Sequence, residues 1–349
     1  MKPKTLLPGV LVMVGALLAG SCSGTNDAGR EAMGTSAPVS TAAVEHREPT
    51  LPDGFDVQGH RGARGLKPEN TLPAFETALD LGVTTIEFDL HFSAEGEIVI
   101  WHDPVIDPDK CGLKPDAPSQ IPDPDDPGTP QGALAVRSLT VDELGWFNCN
   151  RNPDPERFPE QNSEPTSLAE EDFGIVTLDE LFDFVASYAT AESKTEVQRD
   201  VARVVGYNME TKRGFGDPSA IGDGFDGKTA GPFELRILEV VEEHGVRDRV
   251  VIQSFDQRSL VAIHGVDRGI RLAMLTASGD ADPGGYAAFG ATVWSPKAST
   301  ISERRLLEAF DAGLVVTPWT VNSLKEAERL AAEGVNGVIT DRPDLLIGP

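Results

Sequence analysis

From residue 55 onward, short runs of β-branched and aromatic residues alternate with longer stretches whose apolar positions recur three and four residues apart. The first pattern reads as strand and the second as amphipathic helix. Strands are predicted at residues 55–59, 84–90, 206–211, 250–254, 271–275, 292–295, 314–318 and 335–340. Helices are predicted at residues 72–81, 233–244, 258–268, 303–312 and 323–333. Gly82, Gly245, Gly313 and Gly334 stand where four of these helices need a left-handed C-terminal cap. Eight strands with intervening helices predict an α/β protein of the TIM (β/α)8 barrel class. The competing doubly wound open sheet wants a Gly-x-Gly-x-x-Gly turn after its first strand, and the sequence has none there.

Two regions break the alternation. Residues 104–175 are crowded with Pro, Asp, Gly and Asn, and so long a segment between barrel strands reads as a lid or a small inserted subdomain. The stretch DPDDPG at 123–128 is not an EF-hand, because Pro127 and Leu134 occupy positions where ligands belong. The other region is the amino terminus. Lys2 and Lys4 precede an apolar run over residues 6–18, the grammar of a secretory signal and too short for a membrane span. The run ends in LAGSC, which resembles a bacterial lipobox. That resemblance implies a signal peptide over residues 1–21 and a lipid anchor on Cys22, placing the protein on the extracytoplasmic face of the cell membrane. The alternative is ordinary secretion with an incidental cysteine. Residues 22–52 lack apolar periodicity and read as a flexible tether to a globular region at 53–349.

Charge and cysteine content narrow the partners. The 349-residue chain has 30 Lys+Arg against 56 Asp+Glu, a formal net charge of −26, which excludes the broad basic face that nucleic acid requires. With Cys22 lipidated, Cys111 and Cys149 remain, and an oxidising compartment invites a disulfide between them. Two separately buried thiols are the alternative. Neither has the spacing of a zinc site.

Against that acidity, QGHRGARGLKPENTLPAF at 58–75 places a histidine and two arginines in a glycine-rich turn, which points to a local anion site. Lys67 in this stretch reads as a surface charge, and Arg64 is open between that and the anion site. Residues two apart in a strand share a side, so Glu87 and Asp89 aim together near one strand end, and Glu210 and Lys212 repeat the geometry. Three converging carboxylates repel each other unless a hard divalent cation sits among them. Ca²⁺ is preferred, since an exported protein meets more of it, and Mg²⁺ is the other candidate. His60 ends the first strand and His102 ends a short one at 97–101, which suits a general acid and base. His91 shares the face of Glu87 and Asp89 as an outer group. The absence of a G-x-S-x-G elbow disfavours a serine hydrolase.

HRGARGLKPENTLPAF, IEFDLHFSAEGEIVIWHDP, NMETK, IQSFD, PWTVN and GVITDRPD occur in an order that resembles glycerophosphodiester phosphodiesterases over about residues 55–345. Met209, Ser93 and the Glu95-Gly96 pair are small departures without chemical consequence. The resemblance implies a TIM barrel with an insertion after the second strand. It also implies a divalent metal on Glu87, Asp89 and Glu210, His60 and His102 as acid and base, and Arg61 and Lys212 on the phosphate. Glu69 and Asn70 match an element near the site, and Phe255 and Trp319 match positions lining the alcohol pocket. The implied reaction is hydrolysis of deacylated phospholipids to sn-glycerol 3-phosphate and an alcohol. Alternatives are a phospholipase D-like or lysophospholipid-cleaving enzyme on the same barrel, and a catalytically silent binding lipoprotein.

Overall fold

A computed structural model describes residues 51–214 and 220–348. The readings of a signal peptide, of Cys22 and of the tether fall outside the described residues, apart from Leu51 and Pro52.

The strands are β1 (Asp56–His60), β2 (Thr85–Phe92), β3 (Ile98–Ile100), β4 (Gly112–Leu113), β5 (Phe147–Asn148), β6 (Gly206–Thr211), β7 (Val250–Ser254), β8 (Arg271–Thr276), β9 (Val293–Pro296), β10 (Val315–Val316) and β11 (Gly337–Thr340). The main sheet runs in the order β10-β9-β8-β7-β6-β2-β1-β11, with all of these neighbours parallel. Trp319 closes the ring by pairing with Lys297 on one side and Ile339 on the other. The seam is irregular because Pro318 has no N–H to give. Its carbonyl instead accepts from Ile339 N at 2.9 Å, and the regular ladder of the strand expected at 314–318 shrinks to two residues. The product is the expected eight-stranded α/β barrel.

β2 shows how the pleat serves both walls. Ile86, Phe88 and Leu90 are fully buried, and Phe88 meets Phe75 and Tyr207 edge-on with ring centroids 5.9 and 6.5 Å apart. Thr85, Glu87, Asp89 and His91 fill the alternate, equally buried positions. Part of the polar floor is bonded within the barrel. Asn208 Nδ2 donates to Gln58 Oε1 at 2.7 Å and to Gln253 Oε1 at 3.2 Å. The four predicted glycine caps all have positive φ, between 63° and 91°. Five α-helices were absent from the sequence reading: the one-turn Val141–Leu144 and Asp344–Ile347, and the longer Leu178–Tyr188, Glu196–Val204 and Pro283–Ala288.

β3 is not a barrel strand. It pairs antiparallel with β2, Leu90 opposite Ile100, so the chain doubles back and returns His102 to the barrel mouth. The insertion that follows has its own core, built on Trp101, Ile106, Val136, Leu144, Phe147 and the Cys111–Cys149 disulfide. It is strapped to the barrel by Lys67, whose Nζ donates to Asn162 Oδ1 and to the Glu164 carbonyl, both at 2.7 Å. Gln161 Nε2 donates to the Arg64 carbonyl at 2.5 Å. Lys67 and Arg64 are both buried, which corrects the reading of Lys67 as a surface charge and removes that alternative for Arg64. Apart from Glu69, which Arg64 also reaches, their partners lie nearly a hundred residues or more away, beyond any local pattern.

Candidate active site

The carboxyl ends of the strands carry the chemistry, as the barrel architecture requires. Glu87 and Asp89 of β2 and Glu210 of β6 are buried, with one oxygen of each lying within 4.8 Å of the others. The cause is register. Asp89 pairs with Glu210 across the ladder, and Glu87 lies two residues back on the same face. Burial and the neighbouring Asp89 and Glu210 push the Glu87 carboxyl well above the usual range. Burial acts the same way on Asp89, but Arg61 and Lys212 outweigh it and hold Asp89 low. Gln253 Nε2 donates to Glu87 Oε1 at 2.7 Å, and Arg61 N donates to Glu87 Oε2 at 3.0 Å. Arg61 reaches that position with a left-handed φ of 51°. Asp89 Oδ1 is buried with no hydrogen-bond donor among the described residues, Lys212 Nζ being 3.4 Å away. An all-oxygen cluster with an orphaned carboxylate oxygen fits a hard divalent cation.

Two histidines, each paired with an aspartate, face the same cavity. His60 Nδ1 lies 2.6 Å from Asp341 Oδ1, and His60 Nε2 is 3.9 Å from Glu87. Burial, reinforced by Arg64, lowers the His60 pKa to about 4. His102 Nδ1 lies 2.8 Å from Asp103 Oδ1, and the His102 carbonyl accepts from His91 Nε2 at 3.2 Å. His91 thus holds the strand end that presents His102.

The glycine-rich turn supplies the cations. Arg61 Nη1 donates to Glu69 Oε1 at 2.8 Å, and Arg61 Nε lies 3.1 Å from Asp89. Arg64 Nε reaches Asp341 at 2.5 Å, and its Nη1 reaches Glu69 at 3.2 Å. Lys212 Nζ sits 2.8 Å from Glu210. Asn70, at φ 58°, donates to Asp89 Oδ2 at 2.8 Å. Gly62, at φ 83°, is required by packing as well as by turning, since a Cβ there would come within 2.7 Å of the Ala74 carbonyl oxygen. Phe255 and Trp319 form an edge-on pair 5.6 Å apart along another part of the cavity wall. Every barrel residue singled out from the sequence therefore lies at one mouth, and the cavity measures about 450 Å³. Cys111 and Cys149 pair away from it, within the core of the insertion.

Sequence reasoning missed four residues here. Asp341 and Asp103 each sit in quoted motifs, beside Arg342 and after His102, and those motifs were the available signal. Lys110 and Arg157 come from the insertion, and nothing local marks them. Lys110 Nζ bridges Glu69 at 2.8 Å and Asp103 at 2.5 Å. Arg157 lies over the Phe158 ring, 4.8 Å from its centroid, and Arg64 lies 5.0 Å from the same centroid.

The sequence model of the Glycerophosphoryl diester phosphodiesterase family matches residues 60–345. A glycerophosphodiester phosphodiesterase of Bacillus subtilis is 26% identical over 88% of this chain and 90% of its own length. One from Caldanaerobacter subterraneus is 24% identical over 83% of this chain and 96% of its own. Among solved structures, an Oleispira antarctica phosphodiesterase in complex with the product sn-glycerol-3-phosphate superposes with a TM-score of 0.59 at 20% identity. That match covers 85% of this chain and 95% of the other, and it shows the shared fold.

Proposed function

The chain belongs to the glycerophosphoryl diester phosphodiesterase family, and from that premise we propose that it hydrolyses glycerophosphodiesters to sn-glycerol 3-phosphate and an alcohol. One observation carries the reading: two imidazoles, each with Nδ1 against a carboxylate, open onto one cavity beside a buried three-carboxylate cluster. Tying Nδ1 to a carboxylate fixes each ring and leaves Nε2 for proton transfer. One histidine takes the proton of the attacking oxygen, that of water or that of the glycerol hydroxyl on a route through a cyclic phosphate that water then opens, and the other gives a proton to the departing alcohol oxygen as its bond to phosphorus breaks. Arg61 and Lys212 offset the charge that accumulates on the phosphoryl oxygens.

Glu87, Asp89 and Glu210 would hold a divalent cation, Ca²⁺ or Mg²⁺. The three carboxylates of the cluster have Arg61 and Lys212 as their neighbouring cations, and a divalent ion would relieve the repulsion that remains among them. When bound, the ion supplies Lewis-acid polarisation of a phosphoryl oxygen. A cavity of about 450 Å³ under the insertion suits a deacylated diester better than one carrying a long acyl chain. Turnover of glycerophosphocholine against its lyso form, with and without chelator, tests this reading. Full activity after exhaustive chelation, or preference for the acylated substrate, would overturn the corresponding part. Glu87→Gln is expected to lose both bound metal and turnover.

We further propose that the chain is exported and anchored through a lipid on Cys22. The charged, apolar and small-residue order of residues 1–22 supports this reading, and no described helix is long and apolar enough to cross a membrane. Cys22→Ala is then expected to release the protein from the membrane fraction, and an unchanged distribution would refute the anchor.

A further inference from the structure

The second acidic cluster at the mouth, Glu69, His102 and Asp103, has the spacing of a metal site, yet a side chain already supplies its cation. Lys110 Nζ lies 2.8 Å from Glu69 Oε1 and 2.5 Å from Asp103 Oδ2, and the Trp101 ring centroid is 5.5 Å away. An ammonium has three donors. Two are committed to carboxylates and the remaining side of the charge rests against an aromatic face, so Lys110 is engaged with protein rather than poised for a phosphate. Its side chain is 13% exposed.

What those two carboxylates do gives Lys110 its meaning. Glu69 accepts from Arg61 and Arg64, the arginines of the glycine-rich turn. Asp103 uses its other oxygen, Oδ1, on His102 Nδ1. Lys110 therefore joins the two halves of the mouth. Its backbone is fixed from within the insertion: the Lys110 carbonyl accepts from Arg151 N at 3.1 Å, and the next residue, Cys111, is bonded to Cys149. Asp103 stays ionised although partly buried, because His102 and Lys110 outweigh the desolvation. Without the ammonium, Asp103 and Glu69 would repel each other, and the Asp103 carboxylate would be free to leave His102.

We propose that Lys110 is a positioning residue for the phosphodiesterase reaction, holding Asp103 so that His102 presents Nε2 to the substrate. This rests on the acid–base reading above. The insertion then contributes to turnover as well as covering the barrel.

The test is a double-mutant cycle on the full-length protein, comparing Lys110→Met, His102→Ala and the double variant with glycerophosphocholine as substrate. Lys110→Met is expected to lower kcat 10- to 100-fold with KM within threefold, and to cost no more than threefold further in the His102→Ala background. A purely structural role would make the two losses multiply. Either that additivity, or a Lys110→Met kcat within threefold of wild type, would overturn the proposal. If Lys110→Met does not fold, Lys110→Gln, which keeps a donor without the charge, carries the same cycle and the same criteria. Wild-type turnover in His102→Ala would instead defeat the acid–base reading, and the proposal with it.

Discussion

Asp341→Asn removes one charge and almost no volume, which makes it a clean perturbation of the His60 half of the site. Asp341 is fully buried, and it accepts from His60 Nδ1 at 2.6 Å, Arg64 Nε at 2.5 Å and Asn322 Nδ2 at 2.9 Å. Burial opposes its ionisation, but His60 and Arg64 hold the carboxyl far below the usual range. Whether His60 serves as acid or base, its cycle passes through an imidazolium protonated at both nitrogens, and Asp341 is the counter-ion. An amide cannot balance that charge, and whichever way it turns its NH₂ group meets a donor, His60 Nδ1 and Arg64 Nε on one side or Asn322 Nδ2 on the other. Loss of one general acid–base group is worth roughly 10²–10⁴-fold, or about 3–5 kcal/mol of activation free energy. Folding stability should fall less, by about 1–3 kcal/mol, because Arg64 keeps Glu69 as a partner. The assay is release of sn-glycerol 3-phosphate under saturating substrate, with urea unfolding in parallel. A kcat within threefold of wild type would refute the reasoning, as would a full additional loss in a His60→Ala background.

Three further outcomes follow from the same geometry. His60→Ala and His102→Ala should each lose at least ~100-fold in turnover, and an aryl phosphodiester, whose leaving group needs no proton, should rescue only the variant lacking the acid; equal rescue of both, or of neither, would end the division of labour. Glu76 is fully enclosed, and although burial opposes ionisation, Lys194, Ser167 and the Ala169 N–H bring its pKa from 4.5 to about 2. A depressed carboxyl stabilises above its unfolded pKa, so about 3 kcal/mol should be lost as pH falls from 4.5 toward 2; Glu76→Gln should flatten that slope in urea titrations, and an unchanged slope would exclude Glu76 as its source. Replacing Cys111 and Cys149 together by serine opens a link across 38 residues of sequence and should cost roughly 4 kcal/mol in the loop-entropy account, while two reactive thiols in the denatured, unreduced wild type would show that the bond does not form.

The alternation of strand and helix from residue 55, the glycine caps and the E-x-D and E-x-K pairs at strand ends were legible along the chain, because each depends on a period of two or 3.6 residues or on one local φ. The fold class and nine barrel-site residues (His60, Arg61, Glu69, Asn70, Glu87, Asp89, His102, Glu210 and Lys212) came from such patterns and from the family resemblance, and all nine lie at one mouth. Helix Glu196–Val204 carried a signal too, the Thr195–Gln198 capping box and valines at 197, 201 and 204, although it buries only Ala202, and it was passed over. Helix Pro283–Ala288 was hidden by two glycines that argue against helix. Helix Leu178–Tyr188 did carry a signal, the Thr177–Glu180 capping box and buried residues at 178, 181, 182, 185 and 188, and was simply overlooked. The pairing of His60 with Asp341 spans 281 residues, and that of Lys110 with Glu69 crosses from insertion to barrel over 41. No periodicity records such contacts. They exist because the barrel closes β11 against β1 and the insertion folds back over the mouth, so the partners of each buried charge are decided by tertiary packing, which must satisfy every charge it encloses.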